Sequence, residues 1–251
     1  MLEVCVDTLH AARKAQEAGA ERIELCSALE IGGVTPCGSL ISAVRSAVSI
    51  PLIVLIRPRG GDFFYDASET EQSIDAVTDA VERGADGVAV GGLTPDGTLD
   101  LQLLSRQRER LGNKQLVMHR AFDEILDPSA ALEELIALGF TRVLTSGGAI
   151  SARAGVQFLR QFQYQSRGRI TVMPGGGITV KNAAMILKIS GCSELHGSFR
   201  TVSPIRPSET WRPNAVWGER HSVDTAAIAE VRSILDSLSD RVDPRANPRA
   251  D

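Results

Sequence analysis

The chain has 251 residues, a hydrophobic fraction of 43% and a formal net charge of −4. The length suits one domain with a large core, and the mildly acidic balance, with no basic stripe or aromatic ladder, argues against a nucleic-acid partner. No apolar run approaches a membrane span, and MLEVCVD enters a strand at once, so no signal peptide and a cytoplasmic location are expected. The four cysteines are then expected to be reduced, and no CxxC spacing suggests structural zinc.

In chain order, a strand at Leu2–Val6 precedes a helix capped by Thr8 and running to about Ala18. The next strand covers Arg22–Cys26, and the loop SALEIGGVTPCG after it is broken by Gly32, Gly33 and Pro36. A helix near Ser39–Val48 and a strand at Leu52–Arg57 lead to PRGGDFFYD (58–66). A third helix carries Ile74, Val77 and Val81 at helical spacing. A strand at Gly87–Val90, the turn-forming GGLTPDGTLD and a helix at Leu101–Leu111 follow. A strand over 115–119 leads into HRAFDEI, and Asp127-Pro128 opens a helix. The strand Arg142–Thr145 ends in SGG, before a helix around Ala152–Phe162. RITVM (169–173) is a strand ending in PGGGI, followed by a helix at Val180–Ile189 and a strand at Glu194–His196. Residues 200–222 hold prolines and both tryptophans without a period and read as a long loop, of a kind usually functional or interfacial. Val223–Leu238 closes the chain as a helix, and 240–251 read as a mobile tail.

Four segments repeat one pattern: GAERIEL from Gly19, GADGVAV from Gly84, GFTRVLT from Gly139 and GCSELHG from Gly191. Each ends a helix on a Gly C-cap and opens a buried strand. Eight strands alternating with helices imply parallel pairing and right-handed crossovers. The economical closure is an α/β fold, a TIM (β/α)8 barrel in a single domain over 1–239, with its chemistry at the C-terminal strand ends.

Strand parity then sorts side chains. Leu2, Val4, Val6, Ile23, Leu25, Val88, Val90, Leu116, Met118 and Leu195 face the helices. Glu3, Cys5 and Asp7, Glu24 and Cys26, Ile53, Leu55 and Arg57, His119, and Glu194, His196 and Ser198 point into the barrel, where Gly87, Ala89 and Gly91 leave space. Charges at that density must be paired, which perturbs pKa values. Glu3 and Glu194 read as a lower ion-pair layer. Glu24, Arg57, His119 and His196 lie nearer the C-terminal ends and read as a site, with Arg57 expected to pair with Glu24. His119 with the nearby Asp123 suits general acid–base work, and suits a structural network equally well.

Cys5 and Cys26 sit at neighbouring strand ends about 5 Å apart. Two thiolates there can hold a soft ion such as Cu(I) linearly; the same pair also suits two small core residues. Cys37 and Cys192 join neither reading. PGGGI after the seventh strand reads as an anion cradle of Gly175, Gly176 and Gly177, with His196 and Ser198 beside it and Arg200 adding charge. SGG (146–148) reads as a further part of that rim. If the protein is an enzyme, Glu24 and His119 are the candidate base and acid, with Arg57 holding charge.

LEVCVD, RIELCSALEIGGVTPC, IRPRGGDFFY, HRAFDEI, RVLTSGG and VMPGGGIT, in that order from Leu2 to about Arg200, resemble the CutC family of copper homeostasis proteins. The resemblance implies a cytoplasmic TIM barrel that self-associates, as a dimer or tetramer, and that handles copper by binding Cu(I). It implies Cys5 and Cys26 as the ligands; no organic cofactor is evident in the sequence. It leaves Glu24, Arg57, His119, His196 and the Gly-rich rim unexplained. Two readings therefore stand together: a Cu(I)-binding homeostasis protein, and a barrel enzyme, a lyase or isomerase, acting on a small anionic or phosphorylated metabolite. A small-molecule sensor is a third.

Overall fold

The computed structural model describes residues 1–202 and 221–239. Eight parallel strands form its centre: β1 Leu2–Val6, β2 Arg22–Leu25, β3 Leu52–Leu55, β4 Gly87–Val90, β5 Gln115–Met118, β6 Arg142–Thr145, β7 Thr171–Pro174 and β8 Leu195–Gly197. They pair in sequence order from β1 to β7, and β1 also pairs with β8. The sheet is a nearly closed TIM barrel; among the described residues no ladder joins β7 to β8, which lie side by side at the seam.

Helices α1 Leu9–Glu17, α2 Gly38–Ala47, α3 Ala67–Glu82, α4 Leu101–Leu111, α5 Pro128–Ala137, α6 Val156–Ser166, α7 Val180–Ser190 and α8 Thr225–Ser239 accompany it. Local chemistry sets their starts. Thr8 accepts from the Ala11 N–H, Asp66 and Glu69 form a capping box, Asp100 caps α4, and Asp127 caps α5 with Pro128 behind it. The repeated glycines end the helices as read: Gly19, Gly84, Gly139 and Gly191 all take positive φ, from 72° to 99°.

Three elements differ from the reading. Helix α6 starts at Val156 rather than near Ala152, because Gly155 approaches Gly147 so closely that a Cβ on Gly147 would lie 2.4 Å from the Gly155 carbonyl oxygen. Residues 120–124 wind into a 3-10 turn after β5. The ends of the expected loop 200–222 pair instead: β9 Arg200–Val202 runs antiparallel to β10 His221–Val223. The rest of that loop, and the tail 240–251, lie outside the described residues.

Two cores follow from strand parity. Leu2, Val4, Val6, Ile23, Leu25, Val54, Val88 and Leu195 join the large layer between sheet and helices, while Cys5, Cys26, Ile53, Leu55, Ala89, Val117, Leu144 and Met173 form a smaller cluster inside the barrel. Below that cluster lies the expected ion-pair layer, built around a residue the reading passed over. Arg22 is 1% exposed, and its Nε donates to Glu3 at 2.5 Å while Nη2 donates to Glu194 at 2.8 Å. Arg142 donates to both Glu194 oxygens. Removing one partner from a buried ion pair costs about 3–5 kcal/mol. Arg22→Met is therefore expected to lower unfolding free energy by about that amount in urea titrations at pH 7; a loss below about 1 kcal/mol would contradict the pairing.

Candidate functional site

At the C-terminal end of the barrel is a cavity of about 380 Å³. Cys5, Glu24 and His196 line its floor, Arg57 and His119 one side, and Arg120, Gly176, Gly177 and Ser198 its rim. Of the residues singled out from sequence for this site, Cys26, Gly175, Asp123, Arg200 and the SGG segment 146–148 do not reach its wall. Leu29, Ile31 and Phe63, which carry no sequence signal of chemistry, do.

The floor is set by strand register. Cys5 lies beside Glu24 in the β1–β2 ladder, and Glu3 beside His196 in the β1–β8 ladder. The His196 Nδ1–H donates to Glu3 Oε1 at 2.7 Å, and Nε2 lies 3.7 Å from Glu24 Oε2. Cys5 Sγ, a Glu24 oxygen and a His196 nitrogen all fall within 4.8 Å of one another. For Glu3, burial opposes the charge, but Arg22 and the His196 hydrogen bond bring its pKa down to about 2. For His196, burial opposes the charged ring, yet Glu24 and Glu3 outweigh it and raise the pKa. Burial raises the pKa of Glu24, with the Glu3 charge adding to it.

Cys5 and Cys26 do meet, with their sulfurs 3.6 Å apart. Cys26 is fully buried, with Gly33 packed so closely that a Cβ there would sit 3.4 Å from the sulfur. Ser27 and Val34 bridge to close this loop over it. The linear geometry expected from sequence does not fit the spacing as it stands. Two metal–sulfur bonds of about 2.3 Å, the zinc–thiolate length, span about 4.6 Å when linear. At 3.6 Å they subtend a bent angle of roughly 100°. The hydrogen bond that the Cys5 thiol donates to Cys26, burial and the Glu24 charge together push the Cys5 thiol well above its usual pKa.

Several expectations for the rim and side wall are corrected. Arg57 does not pair with Glu24: its Nη atoms donate to the carbonyls of Ile31, Gly33 and Gly61, and its Cζ lies 5.0 Å from the Phe63 ring centre. Among the described residues His119 has no carboxylate partner: its Nδ1 accepts from the Ala121 N–H at 3.1 Å, and its buried Nε2 meets no partner there. Gly91 leaves room for this ring and not for a substrate, since a Cβ there would lie 2.3 Å from His119 Cε1. Asp123 instead accepts from Arg120, Thr145, and the N–H groups of Ser146 and Gly148. The SGG rim thus binds an anion of its own chain. Gly175 donates to the Thr145 carbonyl and is spent in the sheet. Arg200 is drawn to Asp7 and Glu30 at 3.9 and 3.4 Å, away from the cradle. The N–H groups of Gly176, Gly177 and Ile178 have no acceptor among the described residues.

Burial, helped by the Arg57 charge, lowers the His119 pKa to about 3. The native ring therefore refuses a proton that the unfolded chain accepts below about pH 6.5. Stability is unaffected above that value and falls as pH drops towards 3, by about 2 kcal/mol between pH 7 and 5. His119→Asn is expected to flatten this part of the slope in denaturant titrations; an unchanged slope would contradict a buried neutral ring.

Comparison with known proteins agrees with the architecture. The CutC family model matches residues 1–201. The copper homeostasis protein cutC homolog of Homo sapiens is 46% identical over 202 residues, covering 80% of this chain and 74% of that protein. The CutC family protein of Pasteurella multocida is 41% identical over 242 residues, covering 94% of this chain and 98% of that protein. The crystal structure of CutC from Streptococcus agalactiae superposes with a TM-score of 0.76 at 30% identity, over 79% of this chain and 98% of that one.

Proposed function

This chain belongs to the CutC family, and from that premise we propose that it serves copper homeostasis by holding one Cu(I) ion between Cys5 and Cys26. The observation that carries the reading is the 3.6 Å separation of the two sulfurs, with Cys5 on the cavity wall. Thiolates are the ligands a soft monovalent ion prefers. Both thiols are free, and a reducing cytoplasm keeps such thiols free. The ion enters past Cys5, and reaching Cys26 requires the loop over residues 27–34 to yield. Linear coordination requires the sulfurs to part by about 1 Å; a bent arrangement leaves them in place and calls for a third ligand. Because the thiols must lose protons, affinity rises with pH. The same reading takes the protein to be cytoplasmic and to self-associate as a dimer or tetramer. No helix among the described residues is long and apolar enough to cross a membrane.

Cys5→Ser and Cys26→Ser are each expected to weaken Cu(I) binding at least about tenfold in competition with a chromophoric Cu(I) chelator under reducing conditions, and the double variant to abolish tight binding. Unchanged affinity in the double variant would overturn the role of this pair.

A second reading is favoured by the unused donors at the rim. The N–H groups of Gly176, Gly177 and Ile178 and the His119 Nε2–H, without partners among the described residues, face a cavity with Glu24 on its floor; Arg57 and Arg120, though held by loop carbonyls and by Asp123, add positive charge to its wall. That is the equipment for a small anionic or phosphorylated metabolite, and for a lyase or isomerase if Glu24 acts as the base. His119 then donates a hydrogen bond as a neutral imidazole; with Nδ1 occupied and so low a pKa, it does not supply a proton as an acid. Inorganic phosphate or a small dicarboxylate is expected to raise the melting temperature of the wild type and not of His119→Asn; no shift with any such anion would count against the reading.

A further inference from the structure

The cavity floor carries a second set of ligands that the thiol pair does not use. We propose that Cys5, His196 and Glu24 form a three-ligand site for a divalent cation of the zinc class, open to the cavity at its fourth position. The proposal rests on the Cu(I) reading only in sharing Cys5.

Three observations carry it. The donor atoms of a thiol, an imidazole and a carboxylate lie within 4.8 Å of one another, and all three residues are buried. Zinc sites draw on sulfur, nitrogen and oxygen from this set, and catalytic ones use three protein ligands with one position left open. The nitrogen and oxygen donors are close to a coordinating separation already. Metal–ligand bonds of about 2.0–2.1 Å at a tetrahedral angle place nitrogen and oxygen about 3.3 Å apart, against 3.7 Å between His196 Nε2 and Glu24 Oε2.

The third observation is the support behind the imidazole. His196 Nδ1–H donates to Glu3 at 2.7 Å, which fixes the ring and leaves Nε2 to face Glu24 and the cavity. Glu3 is in turn held by Arg22. A carboxylate behind the outer nitrogen of a ligand histidine is the usual second layer of a metal site. It is built here from the same ion-pair layer that stabilises the barrel, so Glu3 is a positioning residue. Cys26 lies behind Cys5 and outside this set of three. A soft monovalent ion thus turns from Cys5 inward to the second thiol, and a borderline divalent ion turns outward to His196 and Glu24.

The test is anaerobic titration of the apo-protein with Co(II) as a spectroscopic stand-in for zinc, then competition with Zn(II). Wild type and Cys26→Ser are expected to show thiolate-to-cobalt charge transfer and intense tetrahedral visible bands, with affinities within about twofold of each other. Cys5→Ser loses the charge transfer. Glu24→Gln and His196→Asn each weaken binding at least tenfold, and Glu3→Gln weakens it about 10–100-fold. Circular dichroism melting identifies any variant that fails to fold, and the near-isosteric Glu24→Gln is the decisive one. Cobalt bound without charge transfer, binding indifferent to both Glu24→Gln and His196→Asn, or no binding at all would overturn the proposal. Cys26→Ser separates the two readings: Cu(I) affinity unchanged in it defeats the copper pair and leaves the divalent site standing, whereas loss of Co(II) in it defeats the divalent site alone.

Discussion

Arg22 lies inside the barrel with a carboxylate on either side, Glu3 and Glu194, all three almost fully buried. In so dry a place none of these charges survives unless the others are present. The pairing fixes more than charge. Glu3, once committed to Arg22, turns its other oxygen to His196, and His196 then directs its free nitrogen at Glu24 and Cys5. The cavity floor is oriented by the ion-pair layer beneath it, and the order of dependence runs from the base of the barrel to its mouth.

Above that floor the cavity is polarised. One part holds a thiol, a carboxylate and an imidazole within metal-binding reach. The other holds two guanidinium groups, a neutral imidazole donor and open backbone N–H groups. Phe63 lies between Arg57 and His119, 5.0 Å from the Arg57 Cζ and 5.2 Å from the His119 ring centre. Arg57 repels a proton from His119, while Glu3 and Glu24 attract one to His196. Two histidines of one cavity are thus driven in opposite directions, His119 chiefly by burial and His196 by carboxylates that outweigh it. Copper is proposed for the thiol side, and the anion for the other part of the same mouth.

Much of this was legible in the sequence, because parity and Gly punctuation are local signals. Alternation in LEVCV and RIEL placed Cys5, Glu24 and Cys26 inside and Val4, Ile23 and Leu25 outside, as the two cores have them. The same parity could have found Arg22, two residues before Glu24, and with it the neutralisation of Glu3. What was not legible were partners chosen by loops. Arg57 went to three backbone carbonyls of the loops it meets, Asp123 to the SGG turn, and Arg200 to Asp7 and Glu30. None of these contacts has a period or a fixed spacing. Gly91 was read as empty space, whereas the His119 ring fills it; a missing Cβ says that something approaches and does not say what.

The proposed seat of copper is the gap between two particular sulfurs at the barrel mouth, and anomalous diffraction at the copper edge from crystals loaded with Cu(I) under reducing conditions locates the ion. One strong peak is expected within about 2.3 Å of both Cys5 Sγ and Cys26 Sγ. A peak elsewhere, at the exposed Cys37 for example, with none between these two sulfurs, would contradict it.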